Sequence, residues 1–330
     1  MNNLAFWLVI LLASLVLTWV VKVLAVRKNI IDVPNERSSH SIPTPRGGGL
    51  AIVICWYGAI TYLYFMNQLE AKLFFAFISG GLLAVIGILD DIFSLPPGLR
   101  LIVQAISASL ALYFLGGFHI DFMASELPMM ATAINILMVI GMVWFINLYN
   151  FLDGIDAYAA MEAIFISLVF FLFTGASLSL VMLLAVLGFL YWNWPKAQIF
   201  MGDVGSTQLG FILIVSGIYF HNTHQFHFTY WLILTALFWF DATYTLYRRW
   251  RNSEKLSKAH RKHAYQRIVQ SGFSHLKTNV YALIVNFLLF LLVFLSIKLS
   301  GYKFLALLAS IGMLSFSMAI LNKKAPFRKD

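Results

Sequence analysis

The chain has 330 residues, of which 61% are hydrophobic and 11% charged, with a formal net charge of +9. Soluble domains carry about a quarter charged residues, so the composition excludes a water-soluble globule and makes the bilayer the solvent. The single cysteine, Cys55, lies inside an apolar run, which excludes a disulfide framework and a cysteine metal site.

Apolar runs recur from end to end and predict an all-α polytopic membrane protein of about eleven transmembrane helices, because a spanning backbone must satisfy its own hydrogen bonds. In chain order they are Leu4–Val26, Leu50–Met66, Ala71–Leu89, Leu99–Gly117, Ala133–Tyr149, Ala159–Phe173, Leu178–Trp194, Gln208–His221, Tyr230–Tyr247, Val280–Ile297 and Phe304–Leu321. No basic residue precedes the first run and no small-residue cleavage site closes it, so it reads as a retained span. With the N-terminus outside, 20 of the 23 Lys and Arg fall on the cytoplasmic side, including Lys22, Arg27, Lys28, Arg37, Arg46, Arg100, Lys196, nine between Arg248 and Lys277, and four at a cytoplasmic C-terminus. Lys72, Lys298 and Lys303 remain outside. This asymmetry is that of positive-inside topology and of attraction to anionic headgroups and substrates, not of a nucleic-acid footprint.

The chain therefore reads as one membrane domain, residues 1–330, with five inward loops following spans one, three, five, seven and nine: 28–49, 90–98, 150–157, 195–207 and 248–279. In a chain with only 14 acidic residues, Asp90, Asp91, Asp153, Asp156 and Asp203 all fall at these inward helix ends. Carboxylates near hydrocarbon are costly, and five at one interface repel one another unless a cation sits among them. Oxygen-only ligands favour Mg²⁺, with Mn²⁺ as the alternative, and Mg²⁺ completes its shell with substrate phosphates, which points to phosphoryl chemistry. Asp90 and Asp91 point about 100° apart on a helix and divide the labour, whereas Asp153 and Asp156, three apart, share a face.

Asn147 and Asn150 precede the second acidic pair on the buried end of span five, where amides hold ligands or glue helices. Gly202, Asp203, Gly205 and Ser206 carry tight-turn chemistry before span eight, and Phe200 offers a flat face for a base. Gly47, Gly48 and Gly49 after Arg46 open span two in the same way. The long basic loop holds His260-Arg-Lys-His263, with His275 further on; cations there suit a pyrophosphate. His221, His224 and His227 repeat the spacing on the opposite side and read as a plain polar loop.

Taken together these residues resemble the polyprenyl-phosphate N-acetylhexosamine-1-phosphate transferases, which include the phospho-MurNAc-pentapeptide translocase and the O-antigen initiating enzymes. Asp32-Val-Pro-Asn-Glu-Arg37 through His40, Pro43, Pro45 and Gly47-Gly48 is similar to that family's first cytoplasmic loop. Leu89-Asp90-Asp91 with Arg100 and Gln104 resembles its second, Asn147 to Asp156 its asparagine and Asp-Gly-x-Asp segment, and Phe200-Met-Gly-Asp203-x-Gly-Ser206 its most specific motif. The resemblance implies catalytic roles for Asp90, Asp91, Asp153, Asp156, His260 and His263. It implies substrate contacts for Arg46, Gly48, Arg100, Asn147, Asn150, Asn193 and Phe200, with Phe200 and Asn193 on the uracil, and Mg²⁺ on Asp203 and Asp91. The His260-to-His263 form looks closer to the O-antigen initiating branch than to the translocase, and Ser94 stands near the place of the translocase's lysine.

The implied reaction transfers a sugar 1-phosphate from a UDP-N-acetylhexosamine to undecaprenyl phosphate, releasing UMP at the cytoplasmic face of a bacterial inner membrane. It would start lipid-linked surface glycan synthesis such as lipopolysaccharide O-antigen, with a homodimer left open. A secondary transporter or lipid flippase would instead place intramembrane charges near the midplane. A CDP-alcohol phosphotransferase would need an Asp-Gly-x-x-Ala-Arg run that Asp153-Gly-Ile-Asp-Ala-Tyr does not supply.

Overall fold

A computed structural model describes residues 4–34, 42–93, 95–120, 128–256, 258, 260–299 and 301–327. Arg37, His40 and Ser94, and the terminal Arg328 and Lys329, lie outside the described residues. The rest is almost wholly helical: α1 (Leu4–Arg27), α2 (Gly49–Phe65), α3 (Ala71–Ile78), α4 (Gly81–Phe93), α5 (Pro97–Phe114), α6 (Pro128–Phe151), α7 (Tyr158–Thr174) and α8 (Ser177–Asn193). These are followed by α9 (Asp203–Asn222), α10 (Phe228–Leu234), α11 (Ala236–Arg251), α12 (Ala264–Gln270), α13 (His275–Lys298) and α14 (Lys303–Lys324). Between α1 and α2 a short antiparallel ladder pairs β1 (Ile31–Asp32) with β2 (Thr44–Pro45). All eleven apolar runs lie mainly in helix, and seven helical stretches among the described residues, α3 with α4 counted as one, are long and apolar enough to cross a membrane.

The bundle is organised around α9, of whose 20 residues 17 are buried, against 4 of the 24 in α1. Helices α2, α4, α6 and α7 pack on α9, α1 packs on α8, and α13 and α14 pack on α10 and α11. Most of the outer surface of α1, α5, α6, α13 and α14 is large apolar side chains, as lipid contact requires.

Two predicted spans are interrupted. The third divides into α3 and α4 at Ser79–Gly80, where the Gln208 amide of α9 donates to the freed Gly80 carbonyl and Tyr57 Oη donates to Gln208 Oε1 at 3.2 Å. The ninth divides into α10 and α11 at Thr235; Thr235 Oγ1 donates to the Trp231 carbonyl at 2.9 Å and Trp239 Nε1 to the Leu232 carbonyl at 2.8 Å. Non-helical backbone at membrane depth is tolerated only where side chains satisfy it in this way.

Candidate active site

The predicted acids converge where the C-terminal ends of α4 and α6 meet the N-terminal end of α9. Asp90 and Asp91 close α4, and the division of labour expected from their helical spacing is present. Asp90 accepts from the Leu95 amide at 2.6 Å and from Arg100 Nη1 at 2.6 Å. That same Arg100 nitrogen donates to Asp203 Oδ2 at 2.8 Å, so one guanidinium from the first turns of α5 ties together carboxylates 113 positions apart in sequence. Asp91 turns the other way and accepts from the Asp203 amide at 3.1 Å and, more weakly, the Val204 amide at 3.4 Å. A carboxylate on the first two amides of a helix satisfies its orphan donors and complements its dipole. Asp91, expected as a metal ligand, also positions Asp203 by holding the first amides of its helix.

The turn that feeds α9 requires glycine at position 202, which has φ of 77° and whose Cβ would lie 2.6 Å from Asp91 Oδ2. The Gly48 and Gly49 amides, expected to approach a phosphate, instead donate to the Phe200 and Met201 carbonyls at 2.9 and 2.8 Å, and the Phe200 amide donates to the Pro45 carbonyl at 2.8 Å. The first loop is thus stitched to the loop bearing Phe200, and Gly48 serves packing because a Cβ there would meet Phe189 at 2.8 Å. Arg46 donates through Nη2 to the Asp91 carbonyl at 2.6 Å.

Asp153 and Asp156 do not share a helical face. Helix α6 ends at Phe151, and Ala157 adopts φ of 66°, so the two acids lie in an irregular turn and diverge. Asp156 is buried, 3.1 Å from His275 Nδ1 at the start of α13, and accepts from the Ala197 amide at 3.2 Å. No hydrogen-bond donor among the described residues is recorded on the Asp153 carboxylate. Burial pushes its pKa well above the usual carboxylate range, and Asp203, Asp91 and Asp156 push it further.

The amides divide into site and scaffold. Asn150 Nδ2 donates to Ser206 Oγ at 2.9 Å, across from α6 to the first turn of α9. Asn147 pairs with Gln104 of α5 at 2.6 Å and its own helix at 2.8 Å, which is interhelical glue. Asn193, expected on the uracil, is buried with both amide ends engaged: it accepts from the Ala157 amide at 2.8 Å and donates to the Ile199 carbonyl at 2.9 Å. It clamps the Asp153 loop to the Phe200 loop.

The basic loop contributes differently from expectation. His263 is buried, with Nδ1 3.7 Å from Asp241 of α11, whose carboxylate accepts the Ala264 amide at 2.8 and 2.9 Å and so starts α12. His260 lies 4.8 Å from His263 between ring centres, and burial with neighbouring His263, Arg249 and Lys262 depresses its pKa to about 3. His260 and His263 thus pack on one another and against Asp241, within the basic loop and α11. Tyr265 of α12 is the loop's link to the acidic turn: its Oη donates to the Phe151 carbonyl at 3.1 Å, and a Cβ on Gly154 would collide with Tyr265 Oη. Tyr265, Asp241 and Gln104 carry structural tasks that single-chain spacing does not show; the Asp156–His275 contact was legible only as two polar residues on inward loops.

The unpaired, destabilised carboxylate of Asp153 beside Asp203 fits a hard divalent cation. Among the described residues no three His, Cys, Asp or Glu side chains are preassembled as a metal cage; Mg²⁺ bound by one or two carboxylates takes its remaining ligands from water and substrate phosphates.

The sequence model of glycosyl transferase family 4 matches residues 73–221, which span Asp90 through Asp203. A Bacillus subtilis protein named "Probable undecaprenyl-phosphate N-acetylglucosaminyl 1-phosphate transferase" is 31% identical over 299 residues, covering 86% of this chain and 81% of that protein. A decaprenyl-phosphate N-acetylglucosaminephosphotransferase of Mycolicibacterium smegmatis is 28% identical, covering 77% and 72%. An undecaprenyl-phosphate alpha-N-acetylglucosaminyl 1-phosphate transferase of Thermotoga maritima is 31% identical over 208 residues, covering 63% and 62%. With its acids gathered at helix ends and similarity running through nearly the whole chain, the protein belongs to the polyprenyl-phosphate N-acetylhexosamine-1-phosphate transferase family.

Proposed function

We propose that this member transfers an N-acetylhexosamine 1-phosphate from its UDP-sugar to undecaprenyl phosphate, with Mg²⁺, at the cytoplasmic face of a bacterial inner membrane. The observation that carries the reading is the convergence of four carboxylates: Arg100 joins Asp90 to Asp203, Asp91 holds the Asp203 amide, and Asp153 lies close enough to feel the charge of Asp203 and Asp91. A phosphate oxygen of the acceptor attacks the β-phosphorus of the donor, a new P–O bond forms, and the bond to the UMP oxygen breaks.

The protein's part in such a displacement is positioning and charge neutralisation. Arg100 holds the Asp90 and Asp203 oxygens in place, Asp91 fixes the start of α9, and Asn150 fixes Ser206 beside it. Asp203 and Asp153 would hold Mg²⁺, which would neutralise charge on the diphosphate. Phe200 stands in the loop next to Asp203, where it would stack the uracil. The topology that supports a cytoplasmic site has eleven crossings, the N-terminus outside and the C-terminus inside, with 20 of 23 Lys and Arg on the side of the aspartates.

The test is UMP release by purified protein given undecaprenyl phosphate, Mg²⁺ and a panel of UDP-N-acetylhexosamines, beside Asp203→Asn and EDTA controls. UMP formed only with lipid, metal and Asp203 is the expected result. Release that persists in Asp203→Asn, or none from any sugar in folded wild-type protein, removes the proposal.

A further inference from the structure

The last turn of α14 and the residues after it, Asn322 to Phe327, lie against the basic loop and are gripped there by cations from two other elements. Asn322 Oδ1 accepts from Arg248 Nη1 of α11 at 2.8 Å and from Arg267 Nη2 of α12 at 2.7 Å. Arg267 Nε donates at 3.0 Å to the carbonyl of Ala325, the residue that caps α14. The Phe327 ring then meets three cations, with Arg248 Cζ 4.3 Å, Lys262 Nζ 5.5 Å and Arg267 Cζ 5.6 Å from its centre. Arg267 is 5% exposed and its recorded acceptors, Asn322, Ala325 and Met318, are all neutral. A buried guanidinium satisfied by a helix C-terminus, an amide and a ring face depends on that segment staying in place.

The same seven-residue helix reaches the acidic turn on its other side. Tyr265, two positions before Arg267, donates to the Phe151 carbonyl at 3.1 Å and stacks on Tyr158 at 4.9 Å between ring centres. A helix of two turns does not hold itself in water, so its tethers set its place. At its start the tether is Asp241 on the Ala264 amide; further along it is Arg267 on the segment after α14. Resting on the transferase reading, we infer that Asn322 and Phe327 are positioning residues for the reaction. By gripping Arg267 they seat α12, and through Tyr265 they seat the turn that carries Asp153. These residues lie far beyond the stretch 73–221 that the family model matches.

The experiment uses the full chain in nanodiscs. Wild type is compared with Asn322→Ala and Phe327→Ala, with the conservative Asn322→Asp and Phe327→Tyr, and with Lys323→Ala, an exposed side chain of the same turn. Amide hydrogen exchange is followed by mass spectrometry in peptides covering 150–157, 260–270 and α9, and kcat and both KM values are measured by UMP release. The expected result for the two alanine variants is faster exchange in 150–157 and 260–270 with α9 unchanged. Their kcat falls roughly tenfold or more, as a displaced catalytic group far from the substituted residue predicts, while the acceptor KM is unchanged. Asn322→Asp keeps an acceptor for both guanidinium groups, Phe327→Tyr keeps the ring, and both hold wild-type values, as does Lys323→Ala. Faster exchange confined to the peptide holding 322–327, wild-type kcat in both alanine variants, or loosening that spreads into α9 as general destabilisation overturns the assignment. Exchange reads the link between the two segments without turnover, so wild-type protein that releases no UMP sinks the transferase reading separately.

Discussion

Gly205 in the first turn of α9 and Gly49 at the start of α2 touch backbone to backbone: a Cβ on Gly49 would fall 2.3 Å from Gly205 Cα. This contact sets the height of Asp203 against the loop that carries Arg46. Gly49→Ala is therefore expected to destabilise the protein by about 1–3 kcal/mol through overpacking, whereas Gly58→Ala, where a Cβ meets nothing within 4 Å, gains helix propensity. Thermal unfolding in detergent should move in opposite directions for the two; a neutral Gly49→Ala would show that the helices separate at no cost.

Arg100 is the cation shared by Asp90 and Asp203, and it is a third exposed, so its removal leaves the fold standing. Arg100→Gln should lower kcat by roughly 10²-fold or more, as loss of a preorganised donor does, with Arg100→Lys intermediate because one ammonium holds both oxygens less rigidly. UMP release within twofold of wild type in Arg100→Gln would place the ion pair outside the chemistry.

Asp153 has a folded-state pKa above its unfolded value, so its contribution to stability is fully present below the ordinary carboxylate pKa and is lost as pH rises through the raised one. In EDTA at pH 8, Asp153→Asn should melt at or above wild type while releasing no UMP, and added Mg²⁺ should raise the wild-type melting temperature more than the variant's. A variant that melts lower than wild type in EDTA would contradict a strained carboxylate.

His260 moves the opposite way, pushed by burial and its cationic neighbours down to about 3 from the ordinary imidazole value of about 6.5. The unfolded chain takes up a proton below about 6.5 that the folded chain refuses, so stability present above that pH is lost as pH falls toward 3. Melting temperature measured from pH 7 to 4 should decline less steeply in His260→Gln. Parallel curves for the two proteins would mean that the imidazole is protonated without penalty in the fold.

Asn193→Ala would strand the Ala157 amide and the Ile199 carbonyl, each a buried group that costs roughly 1–3 kcal/mol when left unpaired. Loss of thermal stability together with lower kcat is expected, because the Asp153 and Phe200 loops come apart. A variant of normal stability and raised KM for the nucleotide sugar alone would restore the uracil contact that its place in the motif implies.

The helices and the acid cluster were legible because both are written in local terms: apolar length for the first, and charge placed at helix ends for the second. What the chain does not write locally is which side chain meets which. Gln208 satisfies the break at Gly80 from 128 positions away, so neither the break nor its partner has a periodic signature. Asp153 and Asp156 were read on a helical spacing that ends two residues too early, since Gly154 must admit the Tyr265 ring and Ala157 takes a left-handed turn. Asn147 and Asn193 lie in the motifs as expected, but only the packed structure shows their amides already occupied by neighbours.

Because α9 is almost entirely sheathed by other helices, the Asp203 carboxylate at its first residue is mechanically insulated from lipid. Changes in bilayer thickness are met by tilting of outer helices such as α1 and α13, at fractions of a kcal/mol per Å of mismatch, with 4 and 6 of their 24 residues buried. The placing of Asp90 against Asp203 rests on the packing of α4 on α9 and is buffered from acyl-chain length, whereas Arg100, which joins them, rides on α5, whose outer face meets lipid.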